Sequence, residues 1–344
     1  MKMPSKPKIL LIYTGGTIGM IKDFESGILK PFNFKKLLQR IPELKQLDCE
    51  IQTVSFDKPI DSSNMNPDHW VAIASIIGNH YLDFDGFVVL HGSDTMSYSA
   101  SALSFMLENL AKPVVFTGSQ LPIGDLRTDA KENLITAIQI ASLQENGKPA
   151  ISEVCLYFEY KLYRGNRTTK INAEHFNAFT SPNYPEIAES GVYLKVNHDL
   201  LLKLRGSKKL KVSSDFDDNV FILKMFPGLS AAVLSAVLEI PGLKGIVLET
   251  YGSGNAPTDK WFIDLLQKAI ANGLIIINVT QCAGGSVNMG KYETSTKLKE
   301  LGVISGKDIT TEAAVAKLMY LFGQKVSANN FKLQFETSLR GEMS

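Results

Sequence analysis

Four short polar clusters hold residue types that could do chemistry. Thr14-Gly15-Gly16-Thr17-Ile18-Gly19 sets two hydroxyls among glycines. Glycine lets a backbone turn sharply and approach a ligand closely, so this cluster reads either as a tight turn or as part of an active site. A phosphate loop fits poorly, because no Gly-x-Gly-x-x-Gly is present and no Lys-Ser/Thr follows. His91-Gly92-Ser93-Asp94-Thr95-Met96 puts a hydroxyl beside a carboxylate at the expected start of a helix. N-capping explains one such residue, less easily three after a glycine. His91 reads as a packed, hydrogen-bonded residue rather than a general base. Asp61-Ser62-Ser63-Asn64-Met65, taken alone, has the composition of an ordinary turn. The fourth cluster runs from Tyr163 to Lys170 and holds Arg164, Arg167 and Lys170. Such cations usually face solvent or phosphate, but a lysine near a buried aspartate can also tune proton transfer.

The surrounding segments say what must position these clusters. Ile9-Leu10-Leu11-Ile12-Tyr13 is a continuous apolar run that ends on Thr14-Gly15-Gly16, as expected of a strand buried on both faces. Phe87 to Leu90, Pro113 to Phe116 and Val154 to Phe158 are runs of the same kind. Between them, Ala100, Leu103, Leu107 and Leu110 recur at helical spacing, as do Leu134, Ala137, Ile138 and Ala141. Strands alternating with helices predict an α/β fold with right-handed crossovers and a mostly parallel, doubly wound sheet. Ligands of such sheets bind beyond the carboxyl ends of the strands, which is where the four clusters fall.

At 344 residues the chain is long enough for two domains. The apolar rhythm lapses between Leu200 and Asn219, first into lysines and then into aspartates. The expectation is a larger N-terminal domain (residues 1–199), a linker (200–218) and a smaller C-terminal α/β domain (219–344). In the latter, Val220 to Leu223, Gly245 to Leu248 and Leu274 to Val279 read as strands. One helix should start near Thr258 as N-cap and another should span about Thr311 to Phe322. Lys+Arg number 36 and Asp+Glu 35, a net charge of +1, so nothing draws the chain toward nucleic acid or an anionic membrane. The three cysteines are sparse and the five histidines lack metal-ligand spacing, which points to a reduced, cytoplasmic protein without metal or other cofactor. The apolar run near the N-terminus is too short for a signal segment or a membrane span.

Together the clusters resemble those of the cytoplasmic, type I bacterial L-asparaginases, over nearly the whole chain. The likeness rests on Tyr13 to Met20, His91 to Met96, Ala100 to Leu110, Thr117-Gly118-Ser119-Gln120, Tyr163 to Lys170, Gly252 to Pro257 and Val287-Asn288-Met289-Gly290. It implies hydrolysis of L-asparagine to aspartate and ammonia through an ester on Thr14. Ser93, Asp94 and Lys170 would move protons and orient the attacking water. Asp61, Ser62, Ser63, Ser93, Asp94 and Ser119 would line the substrate pocket, with Asp94 on the α-ammonium and Ser62 on the α-carboxylate. Asn255 would come from a neighbouring subunit, which implies a homodimer at least, or a dimer of dimers. Two alternatives stand beside this reading. One is a non-catalytic small-molecule binder on the same fold. The other is the amidase component of a tRNA-dependent amidotransferase, which shares the threonine and Thr-Asp-Lys elements and normally adds an N-terminal domain.

Three departures from the family pattern stand out. Ser93 replaces the usual threonine and keeps the hydroxyl. The stretch from Asp23 to Lys30 lacks the mobile-loop tyrosine of the secreted relatives; in some type I relatives a tyrosine after the Val-Asn-Met-Gly-type segment serves instead, which points to Tyr292. Glu249 stands where some relatives carry an arginine that binds an effector asparagine, while Thr169 and Cys282 match other parts of that effector site. Loss of the arginine implies no activation by asparagine there. Glu249 could equally serve as an interface ion-pair partner.

Overall fold

The computed structural model describes residues 6–22, 29–31, 41–203, 208–290 and 293–344. The chain divides into two compact units, Met1–Ser214 and Asp215–Ser344. In the first, the apolar run after Lys8 becomes β1 (Lys8–Gly15), buried from Ile9 onward. It is followed by β2 (Glu50–Ile60), α1 (Pro67–His80), β3 (Gly86–Leu90), α2 (Met96–Met106), β4 (Val114–Thr117) and α3 (Ala130–Ser142). Then come β5 (Val154–Phe158), β6 (Lys161–Arg164), β7 (Ala188–Ser190) and β8 (Leu194–Val196). Among the described residues these strands form an eight-stranded sheet in the order β8-β7-β6-β5-β4-β3-β1-β2. The five from β5 to β2 run parallel, and β6 to β8 continue the sheet antiparallel. Leu134, Ala137, Ile138 and Ala141 of α3 join the buried cluster with Ile9, Leu11, Val88 and Val115. That burial is the source of the helical spacing seen in the sequence.

Helix α2 ends earlier than its spacing predicted. Every residue of it except Tyr98 is buried, so it lies inside the unit rather than on it. The chain leaves the helix at Met106. Leu107 and Glu108 pair antiparallel with Val212 and Lys211, and Asn109 takes a left-handed φ of 60°. Leu107 and Leu110 are therefore buried for reasons other than helical phase. The same pairing, with Ser213 N donating to Met106 O at 2.9 Å, ties part of the expected linker to the first unit.

The second unit contains β9 (Val220–Lys224), α4 (Ala231–Leu238), β10 (Gly245–Thr250), α5 (Lys260–Ala271), β11 (Ile275–Thr280), α6 (Glu293–Glu300), β12 (Ile304–Ser305), α7 (Thr311–Gly323) and α8 (Ala328–Glu336). Its strands pair in chain order, all parallel. Helix α5 buries Phe262, Leu266 and Ala269, but its N-cap is Asp259, not Thr258. The Asp259 carbonyl accepts the first helical bonds, from the amides of Phe262 and Ile263 at 3.0 and 3.2 Å. Helix α7 is capped by Thr310 Oγ1, which accepts from Ala313 N at 3.2 Å. Its Lys317 is fully buried against Glu342 and donates to Phe335 O and Thr337 O at 2.6 and 2.7 Å. Removing one partner of such a pair strands a buried charge, so this lysine pins the C-terminal segment. No described helix is long and apolar enough to cross a membrane.

Candidate active site

Because β1 to β4 are parallel, Gly15, Ile60, Leu90 and Thr117 all end their strands on one edge of the sheet. Thr14 sits at the last turn of β1. The ladder to β2 matches Tyr13 with Ser55 but Gly15 with Ile60, so its irregularity falls at Thr14. The extra residues are on β2, opposite Thr14. Thr14 is 1% exposed, and its Oγ1 donates to Leu90 O at 2.9 Å.

The loops beyond the strands touch through glycines. Gly16 has φ +85°, and a Cβ there would lie 2.6 Å from Gly92 N. A Cβ on Gly92 would lie 2.5 Å from Ser62 Oγ. Only bare backbone permits these approaches. They bring the loops holding Thr14, Ser62 and Ser93 into direct contact. Thr95 Oγ1 adds a bond to Ser62 O at 2.8 Å. Asp61 caps the short helix Ser62–Asn64, its carboxylate accepting from Ser63 N at 2.9 Å. Ser62 is buried and Ser63 exposed. Ser119, two residues beyond β4, is buried and donates to Leu121 O at 2.6 Å.

Lys170 reaches this edge because the turn before it packs on α2. A Cβ at Gly165 would lie 3.0 Å from that of Ala100, and Asn166 Nδ2 donates to Ser104 Oγ at 3.1 Å. Thr168 Oγ1 lies 3.0 Å from Ser97 Oγ. The chain then delivers Lys170, whose Nζ donates to Ser93 Oγ at 2.9 Å and to Asp94 Oδ1 at 2.7 Å. The lysine side chain is 17% exposed and that of Asp94 62%, so Asp94 still offers an acceptor to a cationic ligand. The hydroxyl, carboxylate and lysine thus form one hydrogen-bonded group. Capping does not explain them, since Thr95 is the N-cap of α2 and makes no side-chain cap bond.

The rest of the basic cluster is interior rather than a phosphate-binding face. Arg164 is paired with Glu153 at 2.6 Å, both nearly inaccessible, and stacks over Tyr184 at 4.3 Å. Arg167 is 2% exposed. His91 is also structural. Its Nδ1 meets Gly92 O at 2.7 Å and its Nε2 meets Ser99 Oγ at 2.9 Å. Burial pushes its pKa down to about 4. Asn255 belongs to the second unit, where its backbone bridges to Tyr251. Tyr292 lies outside the described residues.

Sequence reading left out Gln120 and Asp129. Gln120 Oε1 accepts from Ser93 Oγ at 3.1 Å. The Asp129 carboxylate accepts from the backbone amides of Gln120 and Leu121 at 2.9 and 3.1 Å, and burial raises its pKa. Gln120 ends the Thr117-Gly118-Ser119-Gln120 segment, and the strand-end rule that nominated the other clusters points equally to it.

Residues 8–202 match the model of the asparaginase N-terminal domain, and residues 219–335 that of the glutaminase/asparaginase C-terminal domain. L-asparaginase 1 of Escherichia coli K12 is 42% identical over 340 residues, 98% of each chain. The structure of L-asparaginase I from Vibrio cholerae superposes with a TM-score of 0.90 at 40% identity, covering 98% of this chain and 99% of that one. The L-asparaginase of Thermococcus kodakarensis is 34% identical over 338 residues, 98% of this chain and 99% of that protein. Matches in both units, in the same order and over nearly the full length, leave one assignment: the chain belongs to the asparaginase family.

Proposed function

We propose that this protein is an L-asparaginase, converting L-asparagine to L-aspartate and ammonia through an ester on Thr14. The observation that carries the reading is the Ser93–Asp94–Lys170 group, hydrogen-bonded at 2.7 to 2.9 Å and joined to the Thr14 loop by the Gly16–Gly92 contact. Asp94, still partly open, suits the substrate α-ammonium, and Ser62 suits the α-carboxylate. Ser63 and Ser119 line the same edge, and Asp61 holds the turn that presents Ser62.

Thr14 Oγ attacks the side-chain amide carbon as its proton passes toward the leaving nitrogen. The C–N bond breaks, ammonia departs and an aspartyl ester remains. Attack requires Thr14 to give up its bond to Leu90 O. Water then adds to the ester carbon, the bond to Thr14 Oγ breaks and the hydroxyl is restored. The lysine's positive charge beside Ser93 favours the negative charge that develops in both steps. The reading extends to a dimer in which a neighbour's Asn255 completes the pocket, and to a cytoplasmic location, with which the three free cysteines agree. Tyr292 remains the proposed tyrosine partner of Thr14.

The test is ammonia release by the purified protein given L-asparagine or L-glutamine. Asparagine should be preferred, although one methylene alone is worth only about 1–3 kcal/mol. Thr14→Ala should lower turnover at least about 1,000-fold with an unchanged melting temperature. Near-native activity in that variant would remove Thr14 as nucleophile and leave Ser93 as the candidate. Equal specificity constants for the two amides would refute the preference.

A further inference from the structure

Gln120 has no part in the chemistry described so far, yet it touches that chemistry from one side only. Its side-chain amide offers two N–H donors and one carbonyl acceptor. Nε2 donates to Ala173 O at 3.1 Å and to His175 O at 3.0 Å. Those two carbonyls fix which way round the amide lies. Turned over, its oxygen would face two other oxygens and its NH2 group would face Ser93. With both donors used, Oε1 faces Ser93 Oγ at 3.1 Å and can only accept. Ser93 has one proton, and that proton goes to Gln120. The base of the residue is equally fixed, because its backbone N donates to the Asp129 carboxylate at 2.9 Å. Asn133 Nδ2 reinforces the anchor, donating to Gly118 O at 3.0 Å and to Asp129 Oδ2 at 3.2 Å.

We propose that Gln120 is a positioning residue that turns the Ser93 hydroxyl proton away from the reaction, leaving Ser93 Oγ to act only as an acceptor toward the water that cleaves the ester. One Ser93 lone pair takes the Lys170 Nζ proton at 2.9 Å. The other is left for a water proton. A water held through its proton aims its own lone pair elsewhere, toward the acyl carbon. As the water oxygen bonds to that carbon, the ester C–O bond to Thr14 breaks and a water proton ends on Thr14 Oγ. Were Ser93 free to donate, its proton would compete for the same water lone pair. The role belongs to deacylation, because ammonia has already left. It rests on the Thr14-ester reading above.

The experiment measures steady-state rates and a rapid-quench time course of ammonia release from L-asparagine, for the wild type, Gln120→Leu and the longer Gln120→Met. The expected result is a kcat about 100-fold lower, the scale of a misplaced reacting group. KM should fall in parallel, so that kcat/KM stays within about threefold, and a burst of one ammonia per active site should appear. In a Ser93→Ala background the Gln120 change should add almost nothing, since Gln120 acts through that hydroxyl. A kcat within about twofold of wild type overturns the proposal. So does an equal fall in kcat and kcat/KM without a burst, or loss of the fold in both variants, either of which makes Gln120 a strut for residues 173–175. A wild type that releases no ammonia overturns the asparaginase reading and this proposal with it. An active wild type beside unaffected variants overturns this proposal alone.

Discussion

His91 lies next to the proposed reacting groups, yet its hydrogen bonds keep it from acting as a base. Trp70 Nε1 donates to Ser99 Oγ at 2.9 Å, which leaves the serine proton for His91 Nε2 at 2.9 Å. Nδ1–H then donates to Gly92 O at 2.7 Å. Every role suits a neutral imidazole, and burial holds its pKa at about 4. The ordinary value is about 6.5, so between pH 6.5 and 4 the unfolded chain takes up a proton that the folded chain refuses. Stability from this group is complete above about pH 6.5 and is lost as pH falls through that window, by about 3 kcal/mol at most. Urea unfolding of wild type and His91→Gln should show a stability gap that narrows from pH 7 to pH 4.5. A constant gap would mean that His91 titrates normally. The residue types at strand ends were legible in the sequence, and His91 was read there as packed. The bond from Ser99, the Trp70 donor behind it and the place of Gln120 beside Ser93 were not legible, because these residues meet their neighbours only through the fold. Ser93 and Gln120 are 27 positions apart, Gln120 and His175 55.

At the scale of elements, the site is an edge where parallel strands end and their loops touch backbone to backbone. Gly16, with φ +85° and ψ 170°, occupies a region that side chains rarely enter. Its would-be Cβ meets Gly92 N at 2.6 Å, and backbone cannot swing aside as a flexible side chain can. Gly16→Ala should therefore cost at least about 2 kcal/mol and remove turnover by separating the Thr14 and Ser93 loops. Gly124→Ala is the control, because nothing lies within 4 Å of a Cβ there. Denaturant midpoints and ammonia release for both variants decide the matter. Equal behaviour would show that the loop contact is dispensable. Strands were readable here because burial on both faces leaves an unbroken apolar run, as in Val154–Phe158. The ends of α7 were readable too, Thr311–Gly323 against an expected Thr311 to Phe322, but the end of α2 was not. Leu107 and Leu110 kept the helical phase of α2 after the backbone had turned to pair with Lys211–Val212, and that long-range pairing leaves no local signal.

At the scale of the whole molecule, two units with separate sheets and cores hold different parts of what the family resemblance implies. The proposed reacting group is in the first unit, while Glu249, where the resemblance puts the effector-binding arginine of some relatives, lies on β10 of the second. The Glu249 side chain is 14% exposed and already engaged. Oε1 accepts from Thr311 Oγ1 at 2.7 Å, and Oε2 lies 3.5 Å from Lys224 Nζ. Glu249 therefore has an ion-pair partner inside its own unit, Lys224 of the adjacent strand β9, where the alternative reading expected one at an interface. That engagement also fixes a carboxylate where an effector would need a cation for its own α-carboxylate. Two like charges about 4 Å apart repel by about 4 kcal/mol at an effective dielectric of about 20, close to 1,000-fold in binding. Lys224, 67% exposed and therefore screened, offsets only part of this. The expected rate curve is hyperbolic across a wide range of asparagine concentration. A sigmoidal curve that becomes hyperbolic in Thr169→Ala or Cys282→Ala would show an effector bound despite Glu249. Glu249→Arg supplies the converse: it removes the repelling carboxylate and restores the bidentate partner a carboxylate favours, so sigmoidal kinetics should arise in that variant if the remaining groups of the site are in place.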